Sequence, residues 1–395
     1  MTDKSLFKKI ADTYATPAFV FDTDELTRRT GAVYDMLSSV GAKTVYSIKA
    51  NPYLIPYLED IADAFEVCSP GELSICSHYK VPASKIIYSG VNKGYDDVKA
   101  AVCYEGGVRP VYIVTAESIR HFELICDAAG SCDANVNVIL RFSAKNQFGM
   151  SEEDIRHIIL RSKNTPNVSI EGIHYFAGTG RPKLSHRQKE LEMLKAMIIK
   201  LREELDVGLP LLQYGPGLPF PYFEGDDFSD TLFPLKELLP ALSDIGKVCR
   251  VNVEMGRFIA SSCGYYLTTV ADVKQSFSNN WCILDGGINH VNYLGAVMGL
   301  KTPVIEVVKE SDTSADSRHW TLCGSLCTTN DILARDFEYG DLAVGDLLVF
   351  KNIGAYSVTE GLNLFLSRNM PKILTVKGND ITLVRDTVQT WKLNI

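Results

Sequence analysis

Residues 44–54 read "TVYSIKANPYL". The run Thr44–Ile48 has the β-branched and aromatic character of a buried strand, yet it ends on a lysine standing directly before Ala-Asn-Pro. Proline biases the residue ahead of it towards extended backbone, so the strand stops here and Lys49 marks its C-terminal end. The following "YLIPYLEDIADAF" is patterned as a helix. A strand, a terminal lysine and a helix make one βα unit, and the fold turns on whether that unit recurs.

It recurs along the chain. "KIIYSG" precedes "YDDVKAAVCYEGG", "PVYIV" precedes "AESIRHFELICDAAG", and "VNVILRF" precedes "SEEDIRHIILRS". "SIEGIHYF", the helical "SHRQKELEMLKAMIIKLREEL", "PLLQYG", the stretch around "LKELLPALSDIG" and "CRVNVEMG" continue the rhythm. Repeated βα units over roughly 250 residues favour an α/β fold of the (β/α)8 TIM-barrel type, with chemistry at the C-terminal ends of the strands. An open doubly wound sheet is the structural alternative. After residue 260 helical periodicity fades, and "YYLTTVADVKQ", "NWCILDGG", "TPVIEVV", "HWTLCG", "DLLVFKN" and "DITLVRD" read as strands between turn residues. The expected division is a barrel over 24–265 and a mostly β domain formed by 1–23 and 266–395, since "PAFVFD" is a short strand ahead of the barrel.

Composition narrows the partners. The chain of 395 residues is 46% hydrophobic with a formal charge of −8, and no cluster of Lys and Arg forms a basic face, which argues against nucleic acid or an anionic membrane surface. No run reaches the ~18 apolar residues of a membrane span, and the first twenty residues lack a signal-peptide core; the expected location is cytoplasmic. The ten cysteines are scattered without paired CxxC motifs, so no metal site is expected and the thiols are expected to be reduced.

Polar residues fall where a barrel places its chemistry. Lys49 ends one strand, Glu66 and Ser69 end the next, and His174 ends a later one. A lone lysine of this kind is often a snorkelling surface side chain, and a lone histidine a satisfied core residue. Their coincidence on one rim favours function. Gly215 and Gly217 in "QYGPGLPF" follow a strand and let backbone N–H groups approach an anion, while "NVEMGRF" offers Glu254, Gly256 and Arg257. The set suits a phosphorylated cofactor whose ring carries a protonatable nitrogen.

In this order and spacing the motifs resemble the fold-type III pyridoxal-phosphate enzymes, specifically the ornithine/diaminopimelate decarboxylase group, whose barrel is of the alanine racemase type. "YSIKANP" is similar to the Schiff-base lysine motif, "FEVCSPGEL" to the strand and turn after it, "YGPGLP" to the phosphate loop and "EMGRF" to the Glu-x-Gly-Arg motif. "LCGSLCTTNDILA" resembles the cysteine-containing substrate loop, and "VGDLLVFKNIGAYS" the segment ending in Gly-Ala-Tyr. The resemblance implies that Lys49 forms an imine with pyridoxal 5'-phosphate and that Cys327 reprotonates or orients the decarboxylated product of a homodimer. It also implies cofactor contacts from Glu66, Arg141, His174, Phe176, Thr179, Gly215, Gly217, Glu254, Gly256, Arg257 and Tyr356. Glu254 would keep the pyridine nitrogen protonated, making the ring a strong electron sink, whereas the related racemases use an arginine there. An amino-acid racemase or epimerase is thus the disfavoured alternative.

Departures from the family pattern bear on substrate. "GIHYFAGTG" carries Phe176 where many members have a ring-stacking histidine, with His174 two residues earlier on the same strand face; either residue could cover the ring. Thr328 follows Cys327 where enzymes acting on diamines or diaminopimelate place an acid, and Asp331 could compensate if the loop shifts. "LNLFLSRNMP" likewise departs from the Phe-Asn-Gly of the diamine enzymes. These features are similar to a branch serving antibiotic, siderophore and polysaccharide-linked pathways, which implies decarboxylation of a modified amino acid or of an aminoacyl group tethered to a carrier protein, with diaminopimelate decarboxylase as a further alternative. Arg141 could touch cofactor or substrate, or anchor Glu66 or Glu72. His290 and Asn292 read as surface polar residues.

Overall fold

A computed structural model describes residues 3–104, 109–293, 299–309 and 317–395; the end of the "YDDVKAAVCYEGG" pattern, at 105–107, lies outside them. After β1 (Ala18–Asp22), the run that opens the sequence argument becomes β2 (Ala42–Ser47). The barrel strands continue with β3 (Ala64–Val67), β4 (Ile86–Tyr88), β5 (Ile113–Ala116), β6 (Val136–Arg141), β7 (Val168–Phe176), β8 (Leu211–Gly215) and β9 (Arg250–Met255). Each pairs in parallel with the next, and β9 returns to β2 with Val45 opposite Glu254. That closing pair excludes the open sheet.

Two layers inside this barrel explain where the site is. Val45, Ala64, Ile87, Ile113, Ile139 and Leu211 form one buried apolar cluster, each side chain larger than alanine contributing about 1.5–3 kcal/mol by its burial. Side chains on one strand face recur every second residue. Two positions further along these strands stand Ser47, Glu66, Ser89, Thr115, Arg141 and Gln213, every one polar and buried. His174 on β7 and Glu254 on β9 are also buried and polar. The barrel interior therefore changes from apolar to polar within one residue pair, at the C-terminal end.

Serines set the helices that follow: Ser69, Ser118 and Ser151 accept backbone N–H bonds as caps of helices Pro70–His78, Ile119–Cys132 and Glu152–Ser162. The helix expected after Lys49 is much shorter than its pattern. It resolves into a 3-10 turn Pro52–Leu54 and a single turn Ile55–Leu58, each with proline at its start, and the chain must re-enter β3 at Ala64.

One pair of cysteines departs from expectation. Cys103 and Cys132 form a disulfide with their Cα atoms 6.7 Å apart. The reason is packing: helix Tyr95–Val102 lies against helix Ile119–Cys132, and the two cysteines sit at their C-terminal ends. The other cysteines are free.

The second unit comprises 1–28, 220–229 and 260–395, leaving 29–219 and 230–259 to the barrel. Its strands are β1, β10 (Gly264–Ser276), β11 (Asn279–Leu284), β12 (Ile305–Val308), β13 (Arg318–Cys323), β14 (Ile332–Tyr339), β15 (Leu347–Lys351), β16 (Lys372–Lys377) and β17 (Asp380–Arg385). They follow the order β14-β13-β11-β10-β1-β16-β17, with β15 on β10 and β12 on β15. Helix Lys4–Tyr14 buries Leu6, Phe7 and Ile10 against Val20, Leu267, Val349 and Leu374. Residues 220–229, placed in the barrel by sequence, belong here, with Tyr222 donating or accepting at Ser261 over 2.5 Å. Among the described residues no helix is long and apolar enough to cross a membrane.

Candidate active site

Lys49 lies in a 3-10 turn, Ile48–Ala50, immediately beyond β2. Asn51 is extended, as a residue before proline should be, and its side chain accepts from Tyr53 N at 3.1 Å to start the next turn. The turn is seated on Gly256, where a Cβ would stand 2.8 Å from Ala50 Cβ and 3.2 Å from Ser47 O. Thus the glycine of "EMGRF" shapes the backbone beside the lysine.

The amine faces a compact set. Lys49 Nζ donates to Glu66 Oε2 at 2.8 Å and to Cys68 Sγ at 3.4 Å, and the Cys68 thiol donates to Glu66 Oε1 at 3.2 Å. Burial alone would raise the Glu66 carboxyl, but the Lys49 charge and hydrogen bond, aided by His174, hold it below its ordinary range. Burial and the Glu66 charge push the Cys68 thiol well up, so it stays a donor. Glu72, raised by burial, accepts from Cys68 N at 2.6 Å. Lys49 retains 40% exposure of its side chain against 3% for Glu66, which leaves the amine reachable and the carboxylate fixed.

Glu254 occupies the polar layer beside β8. Gln213 Nε2 donates to its Oε2 at 3.0 Å, and His174 Nε2 lies 3.2 Å from the same oxygen. His174 Nε2 meets Glu254 at ion-pair distance without hydrogen-bond geometry, and His174 Nδ1 and Gln213 Oε1 are buried without a hydrogen-bond partner. Phe176 pairs in register with Gly215, and a Cβ on Gly215 would stand 2.5 Å from Phe176 and 2.7 Å from Glu254 Oε1. Phe176 is thus at the rim while His174 is one residue pair deeper.

The glycine loop is stitched to the loop after β7. Gly217 has φ +57, and a Cβ there would collide with Gly178 O. Arg181 N donates to Gly217 O and its Nη2 to Pro216 O, both at 3.2 Å. Arg181 also pairs with Glu190, which accepts from Tyr214 OH at 3.0 Å. Thr179 is exposed on this loop and Arg257, on the strand-to-helix turn after β9, is buried.

Arg141 does not anchor Glu66 or Glu72. It pairs with Glu117 at 2.9 Å and stacks over Phe148. Near them is a residue missed in the sequence: Lys93, buried, donates to Gly90 O, and burial lowers its amine to about 8 despite the Glu117 charge. Cys68, Gln213 and Glu117 were missed as well. Their signal was present, since each lies on the same two-residue phase as a polar residue of its own or a neighbouring strand.

In the β unit, Cys327 is exposed and Thr328 half-buried on the loop between β13 and β14. Asp331 shapes the loop: its Oδ1 accepts from Ile288 N at 2.8 Å and its Oδ2 from Leu326 N at 2.7 Å, and the residue is 3% exposed. Gly287 and Gly324 leave it room, since a Cβ on either would meet it. His290 requires correction: it is 3% exposed, with Nδ1 2.8 Å from Tyr266 OH and Nε2 3.0 Å from Asn289 Nδ2. Asn292 is half-buried rather than a free surface residue, with its N accepted by Ser357 Oγ at 3.1 Å beside Tyr356, which has φ +68.

A reachable amine with a buried carboxylate partner, a second buried carboxylate with unsatisfied neighbours, and a glycine loop closed to any Cβ fit a phosphorylated pyridine aldehyde. Barrel and site together define a pyridoxal-phosphate enzyme. The chain belongs to the pyridoxal-dependent decarboxylases: the family model described as "Pyridoxal-dependent decarboxylase, C-terminal sheet domain" matches residues 19–354. It is a carboxy-lyase with pyridoxal phosphate as its cofactor.

Several relatives place it within the family. A diaminopimelate decarboxylase of Zymomonas mobilis is 25% identical, with 95% of this chain and 91% of that protein covered. A 2-[(L-alanin-3-ylcarbamoyl)methyl]-2-hydroxybutanedioate decarboxylase of Staphylococcus aureus is 25% identical over 83% of this chain and 86% of its own. An L-glutamyl-[BtrI acyl-carrier protein] decarboxylase of Niallia circulans is 23% identical over 97% and 94%. The solved diaminopimelate decarboxylase of Methanocaldococcus jannaschii superposes with a TM-score of 0.87 at 21% identity, covering 98% of this chain and 92% of that one.

Proposed function

We propose that this enzyme releases carbon dioxide from an amino-acid-derived intermediate of specialised metabolism, free or tethered to a carrier protein, whose distal end is not an ammonium group. The observation that carries the substrate reading is the Cys327 loop. Thr328 stands where the diamine enzymes have an acid, and Asp331, three residues on, is 3% exposed with each oxygen accepting from a backbone amide. A distal ammonium would lose a charge-assisted hydrogen bond worth roughly 1.5–3 kcal/mol.

Pyridoxal phosphate, when bound, supplies an electron sink for the pair left at the α-carbon. The chain's own residues do the rest. Lys49 Nζ, aimed by Glu66 and Cys68, is the amine that would hold the aldehyde end of the cofactor. Glu254, positioned by Gln213 and His174, would keep a proton on its ring nitrogen. Phe176 would lie against the ring, and Gly215, Gly217, Gly256, Thr179 and Arg257 would hold the phosphate. Cys327 and Tyr356 are contributed by the partner of a homodimer, with the Cys327 thiol delivering a proton to the carbon that has lost its carboxyl. Glu254 supports decarboxylation over racemisation, because a charged ring favours full development of the carbanion.

The test is carbon dioxide release by the holoenzyme from free amino acids, alongside mass spectrometry of carrier-tethered aminoacyl groups. Release from a modified or acyl-ended substrate, or a 44-dalton loss on a carrier, supports the reading. Turnover confined to meso-diaminopimelate would assign the primary-metabolic reaction instead.

A further inference from the structure

Leu362–Pro371, the segment that departs from the Phe-Asn-Gly of the diamine enzymes, carries an arginine to the Cys327 loop. Leu366 has φ +56 and Ser367 has φ +53, two consecutive non-glycine residues in the left-handed region, which side chains rarely adopt. Such a turn persists only where its surroundings over-determine it. Here the C-terminal residues do so: Asn394 Nδ2 donates to Leu364 O at 3.3 Å and to Ser367 Oγ at 2.9 Å, and Thr390 Oγ1 donates to Arg368 O at 2.7 Å.

The strained turn delivers the next residue, Arg368, whose Nη2 donates to Ser325 O at 2.8 Å. Ser325 is two residues before Cys327. Arg368 is exposed, and its guanidinium carries five N–H donors in a planar fork suited to a carboxylate. Its electrostatic neighbour is Asp331, which is 3% exposed and accepts from Ile288 N and Leu326 N. Thr328 adds no charge. On this loop the charge that a ligand can touch is therefore that of the exposed Arg368, the reverse of what a diamine enzyme needs.

We infer that Arg368 is the specificity residue of the Cys327 loop and that it recognises a carboxylate or acyl oxygen at the distal end of the substrate. The inference rests on the decarboxylase reading above and names the substrate class within it. The strain at 366–367 is the cost of holding the guanidinium against the loop, and Asn394 is what keeps that cost from relaxing the turn.

5-Aminopentanoate and cadaverine are the probes: both offer the cofactor the same primary amine, neither has a carboxyl on the amine-bearing carbon to lose, and they differ at the distal end, carboxylate against ammonium. Calorimetric binding of both to the holoenzyme separates recognition from turnover. 5-Aminopentanoate is expected to bind more tightly than cadaverine; Arg368→Gln is expected to weaken 5-aminopentanoate by roughly 10-fold or more, with Arg368→Lys recovering part of the loss. The cofactor absorption of these variants should be unchanged, and the effect on an acyl-ended substrate should fall on KM rather than kcat. Thr328→Asp, which leaves Arg368 in place, decides the matter if Arg368→Gln does not fold: 5-aminopentanoate should weaken and cadaverine tighten. Equal 5-aminopentanoate binding by wild type and Arg368→Gln, tighter binding of cadaverine by wild type, or indifference of both probes to Thr328→Asp overturns the inference. None of these depends on carbon dioxide release, so the reaction can stand if the specificity residue falls, and the reverse.

Discussion

Lys49 and Lys93 are two lysines at one end of the barrel, and their settings divide the work between them. Lys49 is reachable and held by Glu66 and Cys68, whereas Lys93 is buried and turned onto Gly90 O. Lys49→Ala should abolish the visible-edge absorption of the cofactor-loaded protein along with turnover, and retention of that band would remove Lys49 from its role. Gly217→Ala should weaken cofactor binding by an order of magnitude or more, because its φ of +57 and the collision with Gly178 O leave no room for a methyl group; equilibrium dialysis against pyridoxal phosphate measures this. Lys49, Glu66 and Glu254 were legible because each ends a strand and breaks an apolar run. Gln213 and Cys68 carry the same two-residue phase without breaking an apolar run at a strand's last residue, and Lys93 lies in a loop, where no strand phase marks it.

At the scale of elements, the loop carrying Cys327 is a unit built around one carboxylate. Asp331→Ala would strand the N–H groups of Ile288 and Leu326, each at a cost of about 1–3 kcal/mol. The expected outcome is a lowered melting temperature together with product partitioning towards transamination, seen by amine and aldehyde analysis; unchanged partitioning would mean that the loop holds Cys327 without Asp331. Ser69→Ala should cost about 1 kcal/mol through loss of the cap on Pro70–His78, read in chemical denaturation. Sequence periodicity found the strands of the barrel but overextended the helix after Lys49, since Pro52 and Pro56 start short turns. It missed β16, whose parallel pairing with β1 joins residues more than 350 apart, and it missed Asp331's commitment because backbone amide partners leave no mark in a side-chain pattern.

For the whole molecule, two buried histidines set the acid limit. Burial lowers His121 and His290 to about 4 from an ordinary 6.5. Between those values the unfolded chain binds protons that the folded one does not, so stability falls as pH falls through this window and is undiminished by them above it. Thermal melting should therefore decline from pH 6.5 towards 4, and His121→Gln with His290→Gln should flatten that slope; an unchanged slope would assign it to the carboxylates. Sedimentation at twice the chain mass would support the homodimer proposed to complete each site. The central claim is that Lys49 is the lysine carrying the cofactor, and borohydride reduction of the holoenzyme followed by peptide mass spectrometry tests it most directly. The cofactor mass should appear on the peptide containing Lys49; its appearance on the peptide containing Lys93, or on none, would contradict the account.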